Sequence, residues 1–122
     1  MKRVIPIAVF FQLISCGFTD YVTPAELNDM MSSERLLIID LRNPHKFADG
    51  HIKGAVNIEY HNATFVRDIK KLDKDSPVVI YCGVGIKSDA AADIMKQQGF
   101  RNVKILKDGY SSWLSMGFKG ER

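Results

Sequence analysis

The 122-residue sequence contains only two cysteines, too few for a network of disulfides. It has no apolar run near the ~20 residues that a membrane-spanning helix needs; the apolar segment at 4–14 is short and is interrupted by Pro6 and Gln12. Strong charge of one sign is also missing. The formal net charge of +3 is dispersed, which argues against a nucleic-acid-binding stripe, and the alternating charges of residues 67–75 read as a solvated helix face. No internal repeat or low-complexity segment is present, and the length suits one small globular domain. His45, His51 and His61 have no ligand spacing with Cys82, so neither a metal site nor a cofactor is expected. His51 reads as structural, tying the turn before Lys53 and Gly54, and His45 and His61 as surface groups.

What is present begins with a leader. Met1-Lys2-Arg3 supplies a positive n-region and residues 4–14 an apolar h-region, the pattern of a secretory signal. Leu13-Ile14-Ser15-Cys16 then resembles the bacterial lipobox, which implies that Cys16 becomes the lipidated first residue of the mature protein. The expected organisation is a signal peptide at 1–15, a tether at 16–20 and a folded domain at 21–122. The expected location is the periplasmic side of a bacterial cell envelope, with the membrane engaged through a lipid anchor. Loss of Lys2 and Arg3 lowers the side-chain charge from +3 to +1, and acylation of Cys16 leaves Cys82 as the only free thiol.

The chain is organised around Tyr81-Cys82-Gly83-Val84-Gly85-Ile86-Lys87-Ser88. Before it, Pro77-Val78-Val79-Ile80-Tyr81 is a short β-branched run that reads as a buried strand. After it, residues 88–98 read as a helix, with Ser88 as N-cap, alanines at 90–92 and Gly99 as the stop. The loop therefore feeds the positive end of a helix dipole, and its glycines allow successive N–H groups to turn toward one point. A thiol at a strand end in that setting reads as a nucleophile rather than a buried structural cysteine.

Along the rest of the chain, Thr23-Pro24-Ala25-Glu26 forms a capping box that should open a helix reaching about residue 32. Residues 36–40, 55–58 and 103–106 read as further strands, and 44–50, 64–72 and 110–116 as helices. Phe47, Phe65, Phe100 and Trp113 are assigned to packing. Short strands alternating with short helices predict an α/β domain with a largely parallel sheet covered on both faces.

Four stretches resemble the single-domain rhodaneses, or sulfurtransferases. Ile39-Asp40-Leu41-Arg42 is similar to the family's aspartate-x-arginine, and residues 47–58 resemble its Phe-x-x-Gly-His-Ile-x-Gly-Ala-x-x-Ile signature. Residues 82–88 resemble its Cys-x-x-Gly-x-Arg-Ser loop, with Lys87 in place of arginine. Residues 106–113 resemble its closing Gly-Gly-x-x-x-Trp, with Asp108 in place of the first glycine. The resemblance implies a three-layer, rhodanese-like α/β domain with a central, mainly parallel five-stranded sheet flanked by helices.

It also implies transfer of a sulfane sulfur from thiosulfate or another persulfide donor to a thiol or cyanide-like acceptor, with Cys82 as the persulfide carrier. Main-chain amides from Gly83 to Ser88 would stabilise the sulfur, and Lys87 would add charge without arginine's bidentate fork. Asp40 and Arg42 by themselves read first as a strand-end ion pair or backbone anchor, with Arg42 also a candidate to bind or position substrate on the active-site face. Val84 and Ile86 are expected to form an apolar rim that selects the acceptor or a partner protein. The protein is expected to act as a monomer. The related cell-cycle phosphatases place five residues between cysteine and arginine, whereas Gly83, Val84, Gly85 and Ile86 are four, a tighter ring suited to sulfur. A second reading is a non-enzymatic module that binds a protein or senses oxidants or sulfide through Cys82.

Overall fold

A computed structural model describes residues 20–33 and 35–122. Residues 1–19, which hold the expected signal segment, Cys16 and most of the expected tether, lie outside the described residues. The element order is β1 (Asp20–Val22), α1 (Pro24–Met30), β2 (Leu37–Asp40), α2 (Pro44–Asp49), β3 (Val56–Asn57), α3 (Phe65–Ile69), β4 (Val78–Tyr81), α4 (Ser88–Gln97), β5 (Val103–Leu106) and α5 (Gly109–Ser115). The strands form one five-stranded sheet in the order β1-β5-β4-β2-β3, with every pairing parallel.

A parallel sheet needs helices on both faces, and the alternation of side chains along each strand supplies both. Ile39, Val78, Ile80 and Ile105 meet Phe65 and Ile69 of α3 and Ala91 and Met95 of α4. Their neighbours Ile38, Val79, Tyr81 and Leu106 meet Leu27 of α1 and Trp113 of α5. All four residues of β4 are buried, which explains why it reads as an uninterrupted apolar run. Each such side chain is worth about 1.5–3 kcal/mol on burial, so the two helical layers hold the sheet between them.

Local signals set the helix ends. Thr23 and Glu26 make the reciprocal capping box, with the Glu26 N–H donating to Thr23 Oγ1 at 3.1 Å and the Thr23 N–H donating to Glu26 Oε1 at 2.8 Å. α3 is shorter than its sequence suggested, spanning Phe65–Ile69 without a side-chain cap bond at Thr64. β1 corresponds to none of the apolar runs. Asp20, assigned to the end of the tether, and Tyr21 pair with Lys104 and Ile105 at the sheet edge, both exposed, so no hydrophobic pattern marked them.

The topology fixes where a site can form. β2 and β4 are neighbours and end level with each other, Asp40 beside Tyr81, and the Leu41 N–H extends the ladder to the Tyr81 carbonyl at 2.8 Å. The segments leaving these two strands line a crevice at their carboxyl ends, the usual ligand position of a parallel sheet.

Candidate active site

Cys82 directly follows β4 and is buried, with 3% of its surface exposed. Its Sγ accepts a hydrogen bond from the Gly85 N–H at 3.1 Å and one from the Ser88 hydroxyl at 3.3 Å. Gly85 supplies its amide from a left-handed turn (φ 95°), and a Cβ there would lie 3.2 Å from the Asp108 Cα. The residue at the N-cap position of α4 is Lys87, in right-handed helical geometry and without a side-chain cap. Ser88 is the first helical residue, so the expected N-cap assignment is corrected. Its side chain is fully buried and serves the sulfur instead of the helix end. The ten-residue α4 still presents its positive end to the thiol loop.

A second helix holds the loop from behind. The Tyr110 N–H donates to the Cys82 carbonyl at 2.8 Å and the Ser111 N–H to the Gly83 carbonyl at 3.0 Å. This approach needs Gly109, which has φ 68° and where a Cβ would come within 2.4 Å of the Cys82 oxygen. Asp108, the residue standing where the resemblance has glycine, adopts left-handed geometry with φ 59° and ψ 15°. Aspartate tolerates that region better than most side chains, and the turn survives.

The facing wall is a buried ion pair. Asp40 is fully buried and accepts from Arg42 Nε at 3.0 Å, from Nη2 at 2.6 Å and from the Arg42 N–H at 2.9 Å. Arg42 Nη2 also donates to the Gly50 carbonyl at 2.6 Å, and the guanidinium lies 4.2 Å from the centre of the Tyr110 ring. Arg42 thus lines the cavity, but its Nε and Nη2 are committed to protein partners. The sequence left Arg42 between a strand-end ion pair and a group on the substrate face; the structure has the ion pair with Asp40, which braces β2 against the turn after α2. Burial, reinforced by the Asp40 charge, pushes the Tyr81 hydroxyl far above the ordinary phenol range. The Tyr81 oxygen accepts from the Ile52 N–H at 3.1 Å. His51 is structural: its Nδ1 lies 2.8 Å from the Phe47 carbonyl oxygen, its ring stacks on Phe47, and its backbone pairs with Glu121.

Between these walls lies a cavity of about 280 Å³ with Cys82, Gly83, Val84, Ile86 and Lys87 on one side. Val84 and Ile86 are 59% and 78% exposed, the rim expected of them. Five lining residues were not foreseen: Leu41, Asn43, Lys46, Glu59 and His61. They come from the segments after β2 and β3, and the only signal that could have found them is position after a strand end. Arg42, Lys46 and Lys87 against Glu59 leave the lining net positive, which suits a small anion.

Comparison with known proteins agrees with this geometry. Residues 23–116 match the family described as Rhodanese-like domain. The chain is 36% identical over 88 residues to the thiosulfate sulfurtransferase GlpE of Shewanella oneidensis, covering 72% of this chain and 85% of that one. It is 38% identical over 79 residues to the protein of the same name from Pseudomonas aeruginosa, covering 65% and 70%. Among solved structures, the rhodanese-like domain of the Anabaena Alr3790 protein superposes with a TM-score of 0.76 at 22% identity, covering 85% of this chain and 80% of that one. The chain belongs to the rhodanese-like domain family.

Proposed function

We propose that the protein is a sulfurtransferase that moves a sulfane sulfur from thiosulfate, or a similar persulfide donor, through a Cys82 persulfide. The observation that carries this is the Cys82 sulfur held by the Gly85 N–H and the Ser88 hydroxyl on the lining of a cationic cavity. Both relatives compared above are named thiosulfate sulfurtransferases.

In the first half-reaction the Cys82 thiolate attacks the outer sulfur of thiosulfate. A new S–S bond forms to Cys82, the old one breaks, and sulfite leaves with its electron pair. Lys87 and Lys46 offset the dianion's charge, while the two donors on Sγ stabilise the thiolate before attack. In the second half-reaction cyanide or a thiolate attacks the outer sulfur, and Cys82 leaves as the thiolate it began as. Steady-state production of thiocyanate from thiosulfate and cyanide tests the cycle. Wild type is expected to turn over and Cys82→Ser to be inactive; thiocyanate production by Cys82→Ser equal to wild type refutes the assignment.

The leader adds a proposal about place. We infer export and lipidation at Cys16, which would tether the domain at the periplasmic face of a bacterial membrane through residues 17–19 and β1. Fatty-acid labelling in cells tests it: Cys16→Ala should abolish labelling and membrane association, and unchanged labelling rejects it.

A further inference from the structure

The segment after β3 is held more firmly than a surface loop needs to be. The Ile58 N–H donates to the Asp40 carbonyl and the Tyr60 N–H to the Leu41 carbonyl, both at 3.0 Å, and the Asn57 side chain donates to the Asp40 and Arg42 carbonyls at 3.0 and 2.8 Å. The arm therefore runs on as an extension of β3 alongside the end of β2, and its side chains alternate. Tyr60 turns inward, edge-on to Phe65 with ring centres 5.5 Å apart. Glu59 and His61, on either side of it, line the cavity with Cys82. His61 is exposed and its only side-chain contact of note is the tilted Tyr60 ring; like Glu59, Lys46 and Lys87 it makes no side-chain hydrogen bond or ion pair among the described residues. An imidazole fixed on such an arm and left without a protein partner is available to a ligand.

The proposed cycle has a step that needs one. A thiol acceptor reaches the cavity mostly protonated, because a free thiol has a pKa of about 8.5, and only its thiolate attacks a persulfide. Of the side chains facing the cavity, lysine and arginine are ordinarily protonated and a carboxylate is a weak base toward a thiol, whereas an imidazole exchanges protons near neutrality. We propose that His61 is the acceptor-side base of this reaction, a role that rests on the sulfurtransferase reading above and assigns small thiols as its acceptors. His61 removes the proton from the thiol. The acceptor sulfur then bonds to the outer sulfur of the Cys82 persulfide, the S–S bond to Cys82 breaks, and the electron pair returns to Cys82, whose thiolate is received by Gly85 N–H and Ser88 Oγ. The acceptor leaves as a persulfide and the imidazolium returns its proton to water. Lys46 and Lys87 offset the charge of the two approaching sulfur anions, and Val84 and Ile86 present an apolar rim to the acceptor's carbon chain.

The test separates the two half-reactions. Wild type, His61→Ala, His61→Gln and Glu59→Gln are loaded from thiosulfate, with sulfur uptake read by intact mass. The loaded proteins are then mixed at neutral pH with 2-mercaptoethanol, which is mostly protonated, or with 4-nitrothiophenol, which is already a thiolate. His61→Ala should load within about twofold of wild type and transfer to 2-mercaptoethanol at least about 100-fold more slowly, the usual worth of a positioned base. Its transfer to 4-nitrothiophenol should stay within about twofold, and added imidazole should restore part of the lost rate. Equal slowing with both thiols, no slowing with either, or selective slowing in Glu59→Gln instead of the His61 variants overturns the proposal. A wild type that takes up no sulfur overturns the sulfurtransferase reading itself, whereas normal loading with any of those three patterns overturns His61 alone.

Discussion

Arg42 and Lys87 bring the same charge to opposite walls of one cavity and are built in opposite ways. The Arg42 side chain is 9% exposed, bonded to Asp40 and Gly50 and placed against Tyr110. Lys87 is exposed and has no ion pair among the described residues. The same contrast extends outward. On the Arg42 wall Nε and Nη2 are paired, and no buried side-chain nitrogen or oxygen among the described residues lacks a hydrogen-bond partner. On the other wall, and on the arm after β3, the charged groups are left open. A buried ion pair gives shape, and an open group on a fixed backbone gives chemistry, so damage to the first should appear as lost stability and damage to the second as lost turnover.

The largest expected effect is at the buried pair. Asp40→Ala strands the Arg42 charge in the wall and should cost about 3–5 kcal/mol in urea denaturation, the usual penalty for removing one partner of such a pair. In Arg42→Ala, the KM for thiosulfate measured on the folded fraction should move less than in Lys87→Ala. The reverse order would return Arg42 to a substrate role.

Gly109→Ala strikes the joint between the walls. Its methyl would meet the Cys82 oxygen at 2.4 Å from a left-handed backbone, so about 2 kcal/mol should be lost and the thiol loop displaced, reducing turnover as well as stability. Stability lost without any change in turnover per folded molecule would show that α5 does not position Cys82.

Tyr81 allows the buried wall to be probed by pH. Burial and Asp40 raise its folded pKa above the unfolded phenol value near 10, so the folded state keeps a proton that the unfolded chain releases. Its contribution is complete below about pH 10 and falls above it, by up to about 1.4 kcal/mol per pH unit. Tyr81→Phe should remove that part of the alkaline slope, while costing about 1–3 kcal/mol at neutral pH because the Ile52 N–H loses its acceptor. Stability curves taken from pH 8 to 11 check both.

The smallest stability effect belongs to the open wall. Lys87→Ala should change stability by no more than about 0.5 kcal/mol, as expected for an exposed residue without partners, yet raise the KM for thiosulfate. Lys87→Arg should keep the charge and lower KM if the bidentate fork reaches the donor. Thiosulfate kinetics beside urea curves separate the two effects.

What the sequence disclosed follows the same division. The thiol loop is local: Cys82, its glycines, Ser88 and Lys87 lie within seven consecutive residues between a buried strand and a helix, so spacing was enough to place them. The four aliphatic strands and the Thr23 capping box were legible for the same reason. β1 was not, because its three residues sit at an edge with two exposed and only Val22 buried. The N-cap reading of Ser88 failed because a hydroxyl names no partner until the fold chooses one, whereas the Asp40–Arg42 ion pair, two residues apart at a strand end, was legible. His61 and Lys46 share a cavity with Cys82 only through the β4-β2-β3 order, which no local pattern carries.

The central claim is that Cys82 carries sulfur, and the most direct measurement is the intact mass of the domain after incubation with thiosulfate. The expected result is a gain of one sulfur atom that cyanide removes and that Cys82→Ser does not show. A wild-type mass unchanged by thiosulfate and by every other sulfane donor would contradict it.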